Sequence, residues 1–292
     1  MGPDMKVFEQ IDVPCEHRRA TVNKHANWYT WTGEARRLIA GCEGRIPNRR
    51  SVRLVHVDGR GEYSCSYSVA HSRSFDALSE ALRPLALGLF RIRVPRRIML
   101  FHRLFDRSIR PETFPAVLAC VRDILAELSH DRLAALYPPL VDTKGSDSGF
   151  ELHADLYRAP VLCNVFDEVA PRSEGASLFL PVTEFCRLVR EEVGVPDRAR
   201  TRLLNYFSAL QGRDHFNEFY STLYGRSSWQ TRLAAKMSAS QVTIKLKRGE
   251  GYLLHDRIWL HGRTATSKGI SGSRLHRLVF TTETILRRRV PG

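Results

Sequence analysis

The first half of the chain predicts helices from the spacing of its hydrophobic positions. The strongest pattern runs from Phe114 to Leu136, where apolar side chains recur at helical spacing and form one buried stripe. That stripe consists of Val117, Leu118, Val121, Ile124, Leu125 and Leu128. A second helix is predicted from Phe75 to Leu89, with an interruption at Pro84 because proline lacks the backbone N–H. Residues 1–75 are otherwise irregular, apart from a strand candidate at Ser51–Val57.

The pattern changes from residue 150 onward. Short apolar segments punctuated by glycine and proline replace the long periodic ones, as is typical of strands. The predicted strands are Phe150–Tyr157, Pro160–Phe166, Ser177–Pro181, Gln241–Leu246, Tyr252–Leu260 and Arg274–Ile285. Between them, Thr183–Val193 and Arg200–Leu210 predict helices, whereas residues 211–237 are polar, aromatic and mixed, like an insertion. We therefore expect an α+β fold in which helices wrap an all-β core.

No internal repeat or low-complexity linker divides the chain, so we expect one domain over residues 1–292. In this interpretation residues 1–149 form a supporting region of helices and strands, and residues 150–285 form the core. A helical, lid-like insertion of about residues 184–240 separates core strands. The composition, 43% hydrophobic and 26% charged, is that of an ordinary globular enzyme and is too apolar for a disordered chain.

The net charge of +14 indicates an anionic partner or a merely basic surface. A nucleic acid, a phosphorylated small molecule, an acidic carrier protein and a genome that favours arginine all fit this charge. The basic residues are dispersed along the chain, and no nucleic-acid-binding motif accompanies them. We therefore favour a small-molecule substrate, phosphorylated or carrier-bound, over a nucleic acid.

The chain lacks the sequence signals of a membrane protein or a zinc ribbon. No stretch approaches the roughly 18 consecutive apolar residues of a membrane helix, and the first residues show no secretory pattern. The six cysteines are scattered singly, without a C-x-x-C pair. We expect a cytoplasmic protein with free, mostly buried thiols and no membrane partner.

A histidine and a carboxylate two residues apart carry the first candidate chemistry. His153 and Asp155 end a predicted strand, and alternate residues of a strand share a face. An imidazole nitrogen and a carboxylate oxygen are ligands for ferrous iron, and a second histidine would complete a facial triad with open positions. The segment Gly249–Ala265 predicts a strand, a turn and a second strand, and it contains both His255 and His261.

Residues 150–285 resemble the double-stranded β-helix core of the taurine dioxygenase and clavaminate synthase-like branch of the iron and 2-oxoglutarate oxygenases. That branch shows H-x-D or H-x-E, a Gly-rich strand near G-G-x-T/S-L, a later G-D-L-L-L-x-D-N-x-x-x-L-H-G-R-T, and an arginine on the last core strand. This chain offers, in the same order, His153 with Asp155, Gly175 to Phe179, Gly251 to Thr264, and then Arg274 and Arg277. The resemblance implies a jelly-roll, cupin-like core and a single catalytic domain.

The resemblance also implies a set of ligands. His153, Asp155 and His261 would hold Fe(II), with 2-oxoglutarate as co-substrate and O2 as oxidant. His255 competes with His261 by residue type, but it falls where the family usually has a hydrophobic residue. Ser177 matches a hydroxyl position that commonly helps to bind the 2-oxoglutarate carboxylate, although a strand serine facing solvent fits the sequence too.

The arginine that would hold the distal carboxylate of 2-oxoglutarate has two candidates. A guanidinium suits this role because its fork binds a carboxylate through two hydrogen bonds. Arg274 and Arg277 are three residues apart, so they face opposite ways on a regular strand. We favour Arg274, whose distance from His261 fits the first family arginine after one loop deletion. The second arginine of relatives, which often binds substrate, would then be Leu278 here.

Asp155 favours hydroxylation over halogenation, since halogenating relatives have a small residue in place of the carboxylate. We expect hydroxylation of an unactivated C–H bond in a small, anionic, specialised-metabolite substrate, with release of succinate and CO2. Desaturation or cyclisation by the same core, an oxygenase acting on a nucleotide or nucleic acid, and a non-catalytic protein with a relic barrel remain alternatives. Substrate contacts are expected from Asn164, Arg103 and Arg263, and from a lid at Gln211–Trp229 whose aromatics would equally suit helix packing.

Overall fold

Strands of two sheets, with helices around them, make up most of the described structure. The computed structural model of the chain describes residues 5–17, 25–46, 52–57, 63–69, 73–94, 96–105, 109–110, 113–130, 140–142, 149–155, 161–169, 174–207, 214–266 and 274–287. The strands are β1 (Phe8–Ile11), β2 (Ala26–Trp31), β3 (Val52–Val57), β4 (Tyr63–Val69), β5 (Ile98–Phe101), β6 (Leu140–Asp142), β7 (Phe150–His153), β8 (Val161–Glu168), β9 (Ser177–Pro181), β10 (Val242–Ile244), β11 (Gly251–His255), β12 (Trp259–Arg263) and β13 (Arg274–Phe280).

Helices precede the core strands and interrupt them. They are α1 (Gly33–Gly41), α2 (Arg73–Phe90), α3 (Thr113–Leu128), α4 (Val182–Glu191), α5 (Asp197–Asn205), α6 (Asp214–Leu223), α7 (Ser228–Ser240) and α8 (Glu283–Arg287). Helices α4 to α7 all lie between β9 and β10, so they form one helical insertion, which is called the insertion below. Among the helices of the described residues, none is both long and apolar enough to cross a membrane.

The described strands form a larger and a smaller sheet. The larger has the order β1-β2-β5-β11-β8-β13-β6-β4-β3, and the smaller has the order β10-β9-β12-β7. The recorded pairings are antiparallel, except that β2 pairs with β5 in parallel. The chain is therefore a mixed α+β fold, as predicted. Strands from the first half of the chain extend both edges of the larger sheet.

The two sheets pack face to face through a shared hydrophobic cluster. Leu162, Tyr252 and Leu275 enter this cluster from the larger sheet, and Phe179 and Trp259 enter it from the smaller one. Successive side chains of a strand point to opposite faces, so each of these residues identifies the inner face of its strand. The inner faces enclose the space in which the candidate ligands meet.

Helices cover the outer faces of both sheets. Helices α2 and α3 pack on the larger sheet in a cluster that includes Leu82, Val121, Cys163 and Leu278. The insertion packs on the smaller sheet in a separate cluster, in which Phe185 and Phe219 meet outward residues of the strands. The strand residues of that cluster are Leu152, Ala154, Leu178, Leu180 and Leu260.

Several predicted elements differ from the structure. The strand candidate Ser51–Val57 is confirmed as β3, but the prediction that the rest of residues 1–75 is irregular is wrong, because β1, β2, β4 and α1 lie there. Helix α2 passes through Pro84 without a break. Leu82, Leu85 and Leu89 are almost fully buried against the neighbouring core, and each contributes about 1.5–3 kcal/mol, which offsets the cost of the proline.

The mixed segment predicted over residues 211–237 contains two helices, α6 and α7. Few of their residues are buried, so the hydrophobic stripe is weak. A capping box formed by Ser227 and Gln230 begins α7 and was the available signal. The predicted helix Phe114–Leu136 ends at Leu128, and residues 131–139 lie outside the described part of the chain.

The predicted strands of the core differ in how well their boundaries match the structure. The strand Ser177–Pro181 is confirmed without change. The strand, turn and strand predicted over Gly249–Ala265 are confirmed as β11 and β12 with a turn at residues 256–258, so Tyr252–Leu260 is not one continuous strand. The predicted strand Arg274–Ile285 ends at Phe280, and α8 follows it.

Candidate metal centre

Three side chains converge at the inner face of the smaller sheet. His153 is the last residue of β7, Asp155 follows it by two positions, and His261 lies directly opposite His153 on β12. Nε2 of His153 lies 3.1 Å from Oδ1 of Asp155, and Nε2 of His261 lies 3.6 Å from Oδ2. One nitrogen or oxygen from each residue lies within 4.8 Å of the others, a spacing that fits one metal ion.

Two buried atoms of this trio lack a well-oriented hydrogen-bond partner among the described residues. They are Oδ2 of Asp155 and Nε2 of His261. A buried polar atom without a partner costs roughly 1–3 kcal/mol, so such atoms are rare in folded proteins. A divalent cation bound between the two atoms would satisfy both. Two imidazoles and one carboxylate are also the donor set that non-haem Fe(II) prefers.

A backbone contact orients the His153 ring. Its Nδ1 lies 2.7 Å from the carbonyl oxygen of Glu151, a distance at which the ring N–H donates to that carbonyl. The proton is thereby placed on Nδ1, and Nε2 is left with its lone pair toward Asp155. Metal-binding histidines in general are oriented in this way by an acceptor that binds the N–H of the other ring nitrogen.

The charges at the site favour an ionised carboxylate. Burial by itself would raise the pKa of Asp155, but His153, His261 and Arg277 outweigh it, so the pKa lies well below its usual range. Burial acts to lower the pKa of His261, yet the nearby carboxylates of Asp256 and Asp155 raise it overall. Asp256 is fully buried, with Oδ1 at 3.2 Å from Nε2 of His261. A metal ion at Nε2 would displace the proton that these carboxylates stabilise there.

His255, the rival of His261 in the sequence, lies on the other side of its strand. Tyr252 and Leu254 face the space between the sheets, whereas Leu253 packs in the outer cluster beneath α2 and α3. Alternation along β11 places His255 on the same side as Leu253. Its Nδ1 accepts a hydrogen bond from the backbone N–H of Arg257 at 3.2 Å. Among the described residues, the metal-binding group includes His261 and not His255.

The two candidate arginines lie on opposite faces of β13. Leu275 and Val279 face the space between the sheets, so Arg277 shares the inner face with them. Its Nη1 lies 3.7 Å from Oδ2 of Asp155. Arg274 is about a third exposed and is ion-paired to Asp167, with Nη2 at 2.7 Å from Oδ2. A register irregularity separates Arg274 from Leu275, but only Arg277 approaches the ligand trio.

Asn164 and Tyr252 support Arg277 from the inner face of the larger sheet. Oδ1 of Asn164 accepts a hydrogen bond from Nε of Arg277 at 3.3 Å, and Nδ2 of Asn164 donates to the Tyr252 hydroxyl at 2.7 Å. Burial raises the pKa of Tyr252 to about 12, so the phenol stays neutral near pH 7. Asn164, predicted as a pocket residue, is therefore next to the site.

The other residues predicted to contact substrate or co-substrate lie at different distances from the ligand trio. Ser177 is buried on β9, two residues before Phe179, whose partner across the sheet is His261. Arg263 pairs with Ser177 in the same ladder and is partly exposed. Arg103 is exposed just beyond β5, at the end of β11 that is opposite Asp256. The structure thus brings Ser177 and Arg263 to the strands of the site and leaves Arg103 away from it.

Aromatic side chains pack against the buried ring of His153. Phe150 lies 4.2 Å from the His153 ring between ring centres, and Phe216 of the insertion lies 5.7 Å from it. Tyr220 stacks on Phe216 at 5.8 Å, and its hydroxyl donates to the carboxylate of Glu151. The predicted lid segment therefore contributes a wall of the site through α6. Glu151 was not predicted, although its alternation with His153 was visible in the sequence.

A second group of histidine and glutamate side chains lies elsewhere and is centred on the carboxylate of Glu250, which accepts several hydrogen bonds. Glu250 accepts from His17 at 2.9 Å, from His102 at 3.0 Å and from the backbone N–H of Lys247 at 2.9 Å. Burial acts to raise the pKa of Glu250, but these hydrogen bonds lower it overall. The carboxylate thus ties the segment around His17 to the core strands.

No protein-family model matches the chain, and no curated protein matches it. Among solved structures, an asparagine oxygenase (AsnO) aligns with a TM-score of 0.43 and 14% identity, over 89% of this chain and 93% of its own. The non-haem iron oxygenase OrfP, in complex with Fe, succinate and (3R,4R)-dihydroxy-L-Arg, aligns with a TM-score of 0.40 and 12% identity, over 91% and 97%. This chain is similar to these two oxygenases at low sequence identity.

Proposed function

We propose that this chain is an Fe(II)- and 2-oxoglutarate-dependent oxygenase that hydroxylates a C–H bond of a small molecule. The observation that carries the proposal is the convergence of His153, Asp155 and His261. Two of their buried atoms, Oδ2 of Asp155 and Nε2 of His261, lack well-oriented hydrogen-bond partners among the described residues. A two-histidine, one-carboxylate site leaves coordination positions open, which a purely structural metal site does not.

We infer that the core is a double-stranded β-helix. From β7 to β13 the strands are shared between two facing sheets: β8, β11 and β13 lie in one, and β7, β9, β10 and β12 in the other. This distribution supports a jelly roll whose inner faces hold the ligands. The N-terminal strands and the insertion would then be parts of the same catalytic domain.

Arg277 is the better candidate for the distal carboxylate of 2-oxoglutarate. It lies on the inner face, Asn164 accepts from its Nε, and its Nη1 lies 3.7 Å from Oδ2 of Asp155. This replaces the preference for Arg274, whose guanidinium is ion-paired to Asp167. Ser177 is a second candidate contact because it is buried on the strand that neighbours β12.

When bound, the iron with 2-oxoglutarate and O2 supplies an oxidant for an unactivated C–H bond, with succinate and CO2 as co-products. The residues of this chain hold the metal, orient the co-substrate and limit the access of water. Asp155 fills the position that halogenating relatives leave open, which supports hydroxylation. The substrate is proposed to lie against Phe216 and Phe150, next to His153. A ligand screen is the way to identify it and to determine its charge.

The test has a binding arm and a turnover arm. Anaerobic equilibrium dialysis should show Fe(II) bound to wild-type protein, and 2-oxoglutarate retained only when the metal is present. His153→Ala, Asp155→Ala and His261→Ala should each lose the metal, whereas His255→Gln should retain it. In air, wild-type protein with Fe(II) and a library of amino acids and phosphorylated metabolites should convert 2-oxoglutarate to succinate.

A negative result in each arm would reject a different part of the proposal. Equal iron binding by wild-type protein and the Asp155→Ala variant would reject the assignment of the ligands. Iron binding without any effect on 2-oxoglutarate retention would reject the co-substrate while leaving the metal site in place. Loss of iron in His255→Gln, with retention in His261→Ala, would show that His255 is the metal ligand in place of His261.

A further inference from the structure

The strand that carries His153 lies at the edge of its sheet. Among the described strands, β7 has one neighbour, β12, so half of its backbone carbonyls point away from the sheet. Its register with β12 is irregular between His261 and Arg263, and the strand ends at His153. Backbone pairing in the sheet therefore does not extend to Asp155, which lies beyond the end of the strand. Edge strands of this kind need other partners for their polar groups.

Two tyrosine hydroxyls meet the carbonyls on either side of His153. Tyr224 donates to the carbonyl oxygen of Leu152 at 2.8 Å, and Tyr206 donates to that of Ala154 at 2.9 Å. The preceding carbonyl, that of Glu151, is already bonded to the His153 ring. Every carbonyl from residue 151 to 154 except that of His153 itself thus has a side-chain donor.

Packing in the insertion fixes both tyrosines. Tyr206 directly follows α5, is 8% exposed and stacks on Phe219 with ring centres 4.1 Å apart. Tyr224 directly follows α6, and burial raises its pKa far above the usual range, so its hydroxyl remains a donor. The side chains of Leu152 and Ala154 pack in the same outer cluster as Tyr206. The backbone around His153 is therefore held at both its side chains and its carbonyls.

We infer that Tyr206 and Tyr224 are positioning residues that set the backbone of the His153–Asp155 segment for metal binding. This inference rests on the proposed function, since it assigns the insertion a role at the same metal site. Neither hydroxyl touches the metal-binding atoms; each acts through the carbonyl next to a ligand. Partners that orient metal ligands typically change metal affinity by roughly 10- to 100-fold when they are removed.

The test removes only the hydroxyls. Tyr206→Phe, Tyr224→Phe and the double variant keep the packed rings, and Tyr29→Phe on β2 in the larger sheet is the matched control. Amide hydrogen exchange of the metal-free proteins reports the opening of residues 150–155. Cobalt(II) is the metal probe, because its visible absorption reports the geometry of its ligands. Far-UV circular dichroism checks that each variant is folded.

We expect faster exchange at residues 150–155 in both single variants and the fastest exchange in the double variant. The cobalt dissociation constant should rise about tenfold in each single variant and up to roughly 100-fold in the double variant, with an altered absorption spectrum. Tyr29→Phe should match wild-type protein in both measurements.

Three other results overturn the inference in distinguishable ways. Unchanged exchange at residues 150–155 would show that the hydroxyls do not hold this segment. Faster exchange with unchanged cobalt affinity and spectrum would reduce the tyrosines to a structural role. Wild-type protein that binds no cobalt would reject the proposed function itself, and the inference with it.

Discussion

Arg274 donates from both Nε and Nη2 to Oδ2 of Asp167, at 2.9 and 2.7 Å. This ion pair lies on the side of β13 that faces away from the ligand trio, since His276 on the same side packs against Phe105. Arg277, on the inner side, approaches Asp155 instead. The two arginines that the sequence offers for one task therefore have different surroundings.

Arg277→Ala should weaken 2-oxoglutarate binding roughly 10- to 100-fold, because a charge-assisted hydrogen bond to a carboxylate contributes about 1.5–3 kcal/mol. Arg274→Ala is the matched control and should leave the affinity within a factor of two or so of wild type. Anaerobic calorimetric titration of metal-loaded protein measures both. Loss of affinity in Arg274→Ala alone would restore the sequence-based preference.

A divalent metal should stabilise the folded protein. Manganese(II) at about 100 times its dissociation constant contributes roughly 2.7 kcal/mol to the free energy of unfolding, which raises the melting temperature by several degrees. Asp155→Asn, which keeps the shape of the side chain, should abolish the increase, and a chelator should reverse it in wild-type protein. An equal increase in both proteins would place the stabilising metal elsewhere.

Gly262→Ala should separate the strands that carry the two histidines. A Cβ at Gly262 would lie 2.6 Å from the carbonyl oxygen of Phe150 and 3.0 Å from the carbonyl carbon of Glu151, and both are backbone atoms. We expect a loss of about 1–3 kcal/mol in the free energy of unfolding, together with weaker metal binding.

Gly41→Ala is the matched control for Gly262→Ala, because a Cβ there meets nothing within 4 Å. Denaturant titration and metal dialysis measure both variants. Normal metal affinity in Gly262→Ala would mean that β7 and β12 adjust without moving their histidines.

Glu250→Gln should change the response of the protein to acid. Because the pKa of Glu250 is lower in the folded protein than its ordinary value of 4.5, the unfolded chain takes up the proton first. Its stabilising effect is complete above that ordinary value and is lost as the pH falls through the lowered one. Wild-type protein should therefore lose stability more steeply than Glu250→Gln below about pH 4.5 in denaturant titrations. Parallel curves for the two proteins would contradict this.

The candidate ligands were accessible from sequence because their signals are local. His153 and Asp155 alternate within one predicted strand, and His261 follows a turn that the sequence marks at Asp256. No local sequence signal decides between the two arginines, because the choice depends on which side of β13 faces the other sheet. Only the packing of Leu275 and Val279 identifies that side.

Tyr206 and Tyr224 left no sequence signal for a comparable reason. Their hydroxyls reach carbonyls that are 52 and 72 residues away along the chain. A tyrosine in a helical segment has the same sequence pattern whether it packs, faces solvent or supports a distant strand. Of the strands within the first 69 residues, β3 was predicted, whereas β1, β2 and β4 were missed; β1 is short and lies at a sheet edge, where hydrophobic alternation is weak.

Helix α6 presents Phe216 to the ring of His153, and the chain continues from its end to Tyr224, which meets the strand of that same histidine. Under the proposed function, this one segment both borders the proposed substrate space and supports a proposed metal ligand. Replacing the whole segment with that of another enzyme would change the proposed substrate contacts. It would also remove the support that Tyr224 gives to the strand of His153. Redesign of this protein should proceed one side chain at a time along α6, with the residues that follow the helix kept as they are.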